Sequence, residues 1–358
     1  MKKYDYLIIG AGLYGAMAAH SAIKQGKSCL VIEKENHIGG YCYTEKINGI
    51  DIHVYGAHIF RTNSKKVWEF VNSICEFLPF INSPLANYHG QIFNLPFNMN
   101  TFHQMWGCVT PQEAVEKINE TSIPCANPTN LEEYIISQIG TELYNVLVKG
   151  YTEKQWGKKC SELPKSIMGR IPVRFTYNNN YYKEKYQGIP EHGYTYFINK
   201  LMEGAEIRTG IDFFCHQNEL KKLASKVIYT GPIDKFYNYK FGHLDYRSVR
   251  FEMKIIPECD NYQGNAVINY TDAETPYTRI IEHKHFTDIQ CRGTVLTIEY
   301  PVDSIVTGSP SYPIHTEANI QIYNRYKSLA KKEENTIFGG RLAEYKYYSM
   351  NDIIEQFI

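Results

Sequence analysis

The sequence predicts an α/β protein in which a parallel-sheet domain is interrupted by a helical insertion and by an antiparallel sheet. Three observations support this fold class. A strand of the buried type runs into a glycine-rich turn near the N-terminus, helical periodicity dominates from 111 to 149, and apolar–polar alternation dominates from 250 to 300. At 358 residues the chain is long enough for two or three domains.

The N-terminal strand and turn predict a dinucleotide site. The apolar run Leu7–Ile9 leads into Gly10, Gly12 and Gly15, which are spaced as GxGxxG. In this spacing the first glycine permits a tight turn, the second lets backbone approach a pyrophosphate, and the third lets a helix pack closely on the strand. A helix is expected over Ala16–Gln25, and its N-terminus offers unpaired N–H groups to phosphates.

The second strand and the turn after it indicate which dinucleotide is bound. Cys29–Ile32 predicts a buried strand, and Glu33 at its end places a carboxylate where it can accept bonds from a ribose. The pair Gly39–Gly40 leaves further backbone amides free near the same ligand. Such a pair is typical of FAD proteins of the glutathione-reductase type, so FAD is favoured over NAD. Alternation on both sides of Asn48–Gly49 predicts a hairpin over 41–54.

The next segment contains a candidate site loop. Gly56–Thr62 holds His58 and Arg61 after a glycine turn, and the residues alone leave open whether this is a site or a strand end with a solvated arginine. Ser64–Phe77 predicts an amphipathic helix that Ser64 can cap.

A helical insertion follows and ends in two polar segments. Gly150–Gly157 is too polar and aromatic to be simple core. Pro164–Arg174 holds Arg170 and Arg174 among glycine and proline. Two interpretations of these arginines stay open, a mobile lid that closes on an anionic ligand or a surface turn with two solvated side chains.

The rest of the chain predicts a return to the first sheet and a second sheet. Val227–Tyr229 reads as a buried strand that rejoins the N-terminal sheet, and Thr336–Phe338 as a last strand before a C-terminal helix from about Met350. Three alternating runs predict an antiparallel sheet of a substrate domain, namely Ala266–Tyr270, Tyr277–His283 and Thr294–Thr297.

Composition excludes several function classes. Lys+Arg and Asp+Glu both number 38, which argues against a nucleic-acid partner and against a polybasic membrane patch. No apolar run approaches the length of a spanning helix, so no integral membrane segment is expected. The 9 scattered cysteines indicate reduced thiols of a cytoplasmic protein. His283 and His285 are only a weak metal pattern, and we predict no metal site.

The sequence resembles one family from end to end, the bacterial UDP-galactopyranose mutases. The matching stretches are Tyr6–Gly15, His37–Gly40, Tyr55–Phe60, Asn94–Phe102, Gly150–Gly157, Arg170–Phe175, Tyr186–Pro190, Pro276–His283 and Phe338–Tyr348. The resemblance implies a Rossmann-like FAD-binding domain with an inserted helical domain and an inserted antiparallel β-sheet domain. The expected boundaries are 1–78, 188–240 and 330–358 for the FAD domain, 99–157 for the helical domain, and 79–98, 158–187 and 241–329 for the sheet domain.

The resemblance also implies an isomerase with an unusual use of FAD. Reduced flavin N5 is expected to attack the anomeric carbon of a UDP-hexose and expel UDP, after which the sugar opens through an iminium adduct and recloses in the other ring form. The cofactor carries the hard chemistry, while the protein supplies orientation and charge. The products of such mutases feed cell-surface polysaccharides such as capsule, and the family implies a homodimer.

Site residues follow from the same resemblance. Arg170 and Arg279 are implied as the diphosphate clamp, with Arg61 and His58 beside the flavin and sugar. The implied substrate contacts are Tyr151, Trp156, Tyr181, Asn269, Tyr312 and Tyr347. The implied cofactor contacts are Gly10, Gly12, Leu13, Gly15, Glu33, Lys34, Gly39, Gly40, Tyr41, His58, Ile59, Gly340, Arg341, Ser349 and Met350.

Two positions depart from the family pattern. The family usually has His where this chain has Arg61, and Asp where it has Ser349. A longer side chain with five donors beside the sugar predicts acceptance of UDP-N-acetylgalactosamine, alongside UDP-galactose. Two other functions stay open, an FAD oxidoreductase of the amine-oxidase type and a non-catalytic binder of UDP-sugar or flavin.

Overall fold

The structure is a computed structural model and describes residues 3–168, 173–287, 289–303 and 310–358. Its strands are β1 (Tyr4–Ile9), β2 (Cys29–Ile32), β3 (Thr44–Ile47), β4 (Ile50–His53), β5 (Phe60–Thr62), β6 (Phe77–Pro79), β7 (Leu85–Tyr88), β8 (Gln91–Asn94), β9 (Tyr186–Pro190), β10 (Glu206–Arg208), β11 (Ala224–Tyr229), β12 (Tyr246–Ile256), β13 (Val267–Tyr270), β14 (Arg279–Glu282), β15 (Thr294–Asp303), β16 (Tyr312–Pro313) and β17 (Thr336–Phe338). Its α-helices are α1 (Leu13–Lys24), α2 (Lys65–Ile74), α3 (Met99–Trp106), α4 (Pro111–Thr121), α5 (Leu131–Leu143), α6 (Gly150–Trp156), α7 (Gly193–Leu201), α8 (Gln217–Leu223), α9 (Ile233–Phe236), α10 (Glu317–Ala330) and α11 (Met350–Glu355).

A parallel sheet forms the centre of the first domain. Within the described ranges it has the strand order β10-β2-β1-β11-β17, and β1 pairs in parallel with both β2 and β11. Leu7 and Ile8 of β1 are completely buried. The carboxyl ends of these strands meet at one edge, where open α/β sheets bind their ligands.

The glycine turn after β1 folds as the sequence predicts, with one difference in the helix start. Helix α1 begins at Leu13, before the predicted Ala16, because Gly12 already serves as its N-cap. A Cβ on Gly15 would lie 2.0 Å from the Gly10 carbonyl oxygen, so helix and strand approach more closely than any other residue allows. Strand β2 has the predicted bounds.

The predicted helix over Ser64–Phe77 is shorter in the structure. Ser64 is its N-cap and accepts a bond from the Val67 N–H, as predicted, but α2 ends at Ile74. Phe77 belongs to β6, which pairs with β9, and β9 pairs with β5 on its other side. Pairing with a distant strand therefore overrides the helical periodicity at this end. The predicted hairpin is β3–β4, and Asn48 and Gly49 have the positive φ of its turn.

The second sheet is mixed rather than purely antiparallel. In the part of the chain that the structure describes, its strand order is β16-β12-β15-β14-β13-β7-β8. Neighbours pair antiparallel, except that β7 runs parallel to β13. Because β7 and β8 come from a segment far away in the chain, no tight hairpin forces the antiparallel direction at this junction.

Helices α3 to α6 pack around a separate apolar core. A π-helical turn over Tyr144–Lys149 joins α5 to α6. Cys160 and Leu163 are buried in the same core, although they follow residue 157, where we expect the helical domain to end. The domain boundaries stay predictions. In the described ranges, no helix combines the length and apolarity needed to cross a bilayer.

Candidate active site

Two glycine turns form the floor of a cleft at the carboxyl edge of the parallel sheet. The Gly39 N–H donates to the Ala11 carbonyl oxygen at 2.9 Å, and a Cβ on Gly40 would lie 3.0 Å from the Gly12 Cα. The turns thus pack backbone against backbone. Among the described residues, no side chain caps α1 at Gly12. The free N–H groups of this first turn make an anion site for a pyrophosphate.

A buried carboxylate stands beside the glycine floor. Glu33 accepts bonds from the N–H groups of Ala11 at 2.9 Å and of Glu35 at 3.1 Å, one on each carboxylate oxygen. Each oxygen has a second lone pair and can still accept from a ribose hydroxyl. Asp212 and Phe214 also line the cleft.

The geometry of this dinucleotide cleft fits the predicted FAD. Bare backbone faces the pyrophosphate position, a fixed carboxylate faces the ribose position, and the cleft continues to the substrate side of the sheet. The predicted cofactor residues that line it are Gly10, Gly12, Leu13, Gly15, Glu33, Lys34, Gly39, Gly40, Tyr41, His58, Gly340, Arg341 and Met350. The predicted contacts Ile59 and Ser349 line the adjoining cavity instead.

This adjoining space, the junction cavity, connects the cleft to the second sheet. Tyr41, His58, Arg341 and Met350 line both the junction cavity and the dinucleotide cleft. Arg279 and Tyr312 come into the junction cavity from the second sheet. A group bound at the end of the cleft therefore faces the side chains predicted to bind substrate.

His58 is a buried, neutral histidine at this connection. Its Nδ1 lies 2.6 Å from the Gly56 carbonyl oxygen and donates to it, so Nε2 is the acceptor. Burial lowers the pKa of His58 to about 4. Its backbone N–H donates to His53 Nδ1, and the His53 N–H donates to His283 Nδ1. His283 also bonds to Thr297 Oγ1, so both ring nitrogens of this weak metal candidate have protein partners.

A larger outer cavity of about 700 Å³ opens beyond the junction cavity. That volume lies within the range of small-molecule sites. Ala57, Ile59, Arg61, Tyr182 and Arg279 line both spaces, so they are continuous. Three further predicted substrate residues line the outer cavity, namely Tyr151, Tyr181 and Asn269.

Arg279 is held by a buried acid. Its Nε lies 2.5 Å from Glu299 Oε2, and the Glu299 side chain is only 4% exposed. Burial opposes the charge on Arg279, but the Glu299 carboxylate together with Tyr151, Tyr312 and Tyr182 outweighs it and raises the pKa of Arg279 above its usual value. Gly56 makes room for this acid, since a Cβ there would lie 2.7 Å from Glu299 Oε1. The result is a permanently charged guanidinium between the junction cavity and the outer cavity.

Arg61 is fixed at the wall of the site rather than in solvent. Its Nη1 donates to Glu184 Oε1 at 2.7 Å, and its guanidinium lies 4.1 Å from the centre of the Tyr182 ring. The Arg61 side chain is 34% exposed. The sequence left open whether Arg61 is a solvated side chain at a strand end. The structure instead shows Arg61 bonded to Glu184 and stacked on Tyr182.

Tyrosines supply neutral donors around these charges. Burial raises the pKa of Tyr312, and it raises the pKa of Tyr181 to about 12. Tyr312 and Tyr347 stack on each other with ring centres 6.2 Å apart. Phenols that stay protonated can donate to phosphate oxygens.

Among the described residues, one predicted contact does not line these cavities. Trp156 lies on α6 with Tyr151 but packs against the helical core, and its contact with a sugar stays a prediction. Arg170 lies outside the described residues.

Sequence reasoning missed Glu299, Glu184 and Tyr182. Arg279 and Glu299 are directly opposite each other in the β14–β15 pair. Opposite charges on two predicted neighbouring strands are a signal for such a pair, but the sequence does not give the register that aligns them.

Family models and known proteins that are similar to this chain point to one family. A family model described as UDP-galactopyranose mutase matches residues 146–347, and a model of an NAD(P)-binding Rossmann-like domain matches residues 8–74. A probable UDP-galactopyranose mutase of Klebsiella pneumoniae is 39% identical, over 99% of this chain and 93% of that protein. A dTDP-fucopyranose mutase of Escherichia coli is 38% identical, over 98% of this chain and 96% of that protein.

Solved structures extend the comparison to the fold. A crystal structure of reduced UDP-galactopyranose mutase matches with a TM-score of 0.74 at 12% identity, over 99% of this chain and 92% of that chain. Putrescine oxidase matches with a TM-score of 0.54 at 11% identity, over 98% of this chain and 96% of that chain. At such identities the likeness concerns the fold alone.

Proposed function

Since this chain belongs to the UDP-galactopyranose mutase family of flavoprotein isomerases and takes FAD as its cofactor, we propose that it interconverts the pyranose and furanose forms of UDP-galactose and UDP-N-acetylgalactosamine. The observation that carries this proposal is the continuity of the three cavities, with Arg279 where the junction cavity and the outer cavity meet. When bound and reduced, FAD supplies the nucleophile for the anomeric carbon.

Arg279 has the properties that a leaving diphosphate requires. The UDP must accept two negative charges, remain bound and return to the sugar. A guanidinium is always charged and can bind phosphate oxygens in pairs. Glu299 holds Arg279 by its Nε, while Tyr312 and Tyr347 donate to the same phosphates. Arg170 is proposed as the second member of the clamp, and Tyr151, which lines the outer cavity, as the platform on which the uracil base stacks.

His58 is proposed to act as a neutral acceptor beside the reacting centre. Its Nδ1–H is committed to the Gly56 carbonyl, so Nε2 has a lone pair for a hydroxyl or amine proton. A neutral ring adds no positive charge that would compete with the arginines for the diphosphate.

Arg61 is proposed as the residue that admits the N-acetyl group. UDP-galactose and UDP-N-acetylgalactosamine differ only at C2 of the sugar. With one edge of the guanidinium on Glu184 and one face on Tyr182, Arg61 can still donate to an acetyl carbonyl in the cavity. A bond from a charged donor contributes about 1.5–3 kcal/mol, enough to change a preference tenfold or more.

The test is turnover of the dithionite-reduced, FAD-loaded protein with UDP-galactose, UDP-N-acetylgalactosamine and dTDP-fucose, with products separated by chromatography. We expect the first two to form furanose products and the oxidised protein to be inactive. Conversion of the dTDP-sugar alone would overturn the substrate proposal within the family. Oxygen uptake that accompanies turnover would favour an oxidoreductase, and binding without turnover would favour a non-catalytic binder.

The role of Arg61 is tested by Arg61→His on both UDP-sugars. The ratio of N-acetylgalactosamine to galactose activity should fall at least tenfold. Arg250→His is the matched control, because Arg250 also stacks on a tyrosine, Tyr300, at 4.0 Å but lines none of the three cavities. An unchanged ratio in Arg61→His would rule out Arg61 as the selector.

Assembly and location are also proposed from the family. We expect a homodimer in the cytoplasm whose product is used for cell-surface polysaccharide. Light scattering on the purified protein measures the assembly, and a monomeric mass would contradict it.

A further inference from the structure

Helix α6 carries Tyr151 into the outer cavity and is attached to the second sheet by one lysine. The Lys154 ammonium donates to the carbonyl oxygens of Tyr270 at 2.9 Å, Thr275 at 2.9 Å and Tyr277 at 3.0 Å. An ammonium has three N–H donors, so all of them are used on this one segment. The segment comprises the last residue of β13 and the connection that follows it to β14.

Glycine lets the helix reach that connection. A Cβ on Gly150 would lie 2.3 Å from the Thr271 carbonyl oxygen and 2.9 Å from the Asp272 carbonyl carbon. The first turn of α6 therefore rests with bare backbone on the β13–β14 connection. Lys154, one turn later, bonds to the same connection.

The other end of α6 is attached to the sheet as well. Arg247 of β12 donates from Nε to the Gln155 carbonyl at 3.1 Å and from Nη2 to the Lys154 carbonyl at 3.5 Å. The Arg247 side chain is 8% exposed and pairs with Asp303. A cation at the last carbonyls stabilises a helix C-terminus, and here it also fixes the helix to the second sheet.

The β13–β14 connection joins the two strands that face the substrate. Asn269 of β13 and Arg279 of β14 are direct partners in the strand pair, and both line the outer cavity with Tyr151. Tyr151 is the proposed platform for the base, and Arg279 is the proposed ligand of the diphosphate. Lys154 is thus the direct bond between the element that holds one end of a nucleoside diphosphate and the element that holds the other.

We propose that Lys154 is a positioning residue that sets the spacing between Tyr151 and Arg279, so that a nucleoside diphosphate is held at its base and at its diphosphate at the same time. This inference rests on the proposed function, because it uses the roles given there to Tyr151 and Arg279. Burial lowers the pKa of Lys154 and Asp272 opposes this, which agrees with an ammonium that is bonded inside the protein rather than in solvent.

The experiment compares two ligands of the oxidised, FAD-loaded protein by calorimetric titration. UDP needs both the base platform and the diphosphate clamp, whereas uridine needs only the platform. In Lys154→Met the Kd for UDP should rise at least tenfold while the Kd for uridine changes less than twofold. A purely structural role would weaken both ligands alike. The exposed Lys158 gives the control Lys158→Met, which should change neither Kd.

The possible results distinguish a failure of the Lys154 proposal from a failure of the proposed function. Equal weakening of UDP and uridine, or no weakening of UDP, overturns it while leaving the proposed function standing. Wild-type protein that binds neither ligand contradicts the proposed function and the inference together. If Lys154→Met fails to load FAD, the same UDP-to-uridine ratio is measured in Lys154→Gln, which keeps one donor group and should show a smaller rise, about threefold.

Discussion

The dinucleotide cleft and the outer cavity are built in opposite ways. The floor of the cleft is backbone from two turns within the first forty residues, and it depends on the absence of side chains at Gly12 and Gly40. The outer cavity is made of side chains that come from segments spread over 57–279. Its charged groups are fixed by partners elsewhere in the chain, such as Glu299 and Glu184. A site that binds its ligand through backbone groups can therefore be recognised from a local sequence motif. A site that binds its ligand through side chains from distant segments can be recognised only in the folded chain.

The largest effect should come from the outer site. Arg279→Ala removes a charged contact to the leaving diphosphate, so turnover should fall about 10²–10³-fold, while FAD stays bound because Arg279 does not line the dinucleotide cleft. Steady-state kinetics and the flavin absorbance measure the two effects. Because the change also leaves Glu299 buried without its partner, Arg279→Ala combined with Glu299→Gln should regain thermal stability but not turnover. Near-native turnover in either variant contradicts the clamp.

The next prediction concerns the glycine floor of the cleft. It compares two alanine substitutions, one that should weaken FAD binding and one that should lower the stability of the fold. A Cβ on Gly12 would have its nearest neighbour at 3.8 Å, so Gly12→Ala should fold, yet the methyl group fills the phosphate position. FAD affinity should drop about ten- to hundredfold, as for overpacking by 1–3 kcal/mol. Gly15→Ala would meet backbone at 2.0 Å and should lower the melting temperature of the apoprotein. Wild-type FAD affinity in Gly12→Ala would falsify the backbone account of the cleft.

The buried histidines between the two regions predict a pH dependence. Burial lowers the pKa of His58 to about 4 and that of His283 to about 3, from the ordinary 6.5. Between pH 6.5 and 4 the unfolded chain binds protons that the folded chain does not, so stability should fall as the pH falls. The loss is about 1.4 kcal/mol per pH unit for each histidine.

Urea unfolding at pH 7.5, 6 and 5 measures this dependence. His58→Asn should reduce the slope, whereas His192→Asn, at a side chain that is 59% exposed, should leave it unchanged. The same slope in both variants would show that His58 does not contribute.

The smallest effect concerns Ser349, where the family usually has Asp. Ser349 is the N-cap of α11 and accepts a bond from the Asp352 N–H. Ser and Asp are both good N-caps, so the departure keeps the cap while it removes a charge. Ser349→Ala should cost about 1 kcal/mol in urea unfolding, and Ser349→Asp should cost almost nothing. Equal stability of all three proteins would contradict a capping role.

The features that could be predicted from the sequence are those that depend on neighbouring residues. The features that could not be predicted depend on segments far apart in the chain. Strand β2 has the predicted bounds, and the turn at Asn48–Gly49 has the predicted positive φ, because both depend on neighbouring residues. The end of α2 could not be predicted, since Phe77 leaves the helical pattern only to pair with β9. The parallel pairing of β7 with β13 likewise depends on a segment that arrives from far away in the chain.

Within the site, residue types could be predicted but their partners could not. The glycines and Glu33 follow from motif spacing, and the arginines follow from the resemblance to the family. The ion pair between Arg61 and Glu184 and the three bonds of Lys154 require the folded arrangement of distant loops. Local spacing carries no information on such contacts.

The pairing of the central strand β1 also determines when the parallel sheet can form during translation. Strand β1 pairs with β2 nearby in the chain, but its other neighbour is β11, where Tyr4 lies opposite Ala224. A nascent chain therefore exposes one side of β1 until the ribosome has made β11, and Gly340 and Arg341 of the cleft emerge later still. Closing so long a loop slows folding. Cofactor loading is consequently a late event of synthesis, and a chain released early has the glycine motif without a cleft to hold FAD.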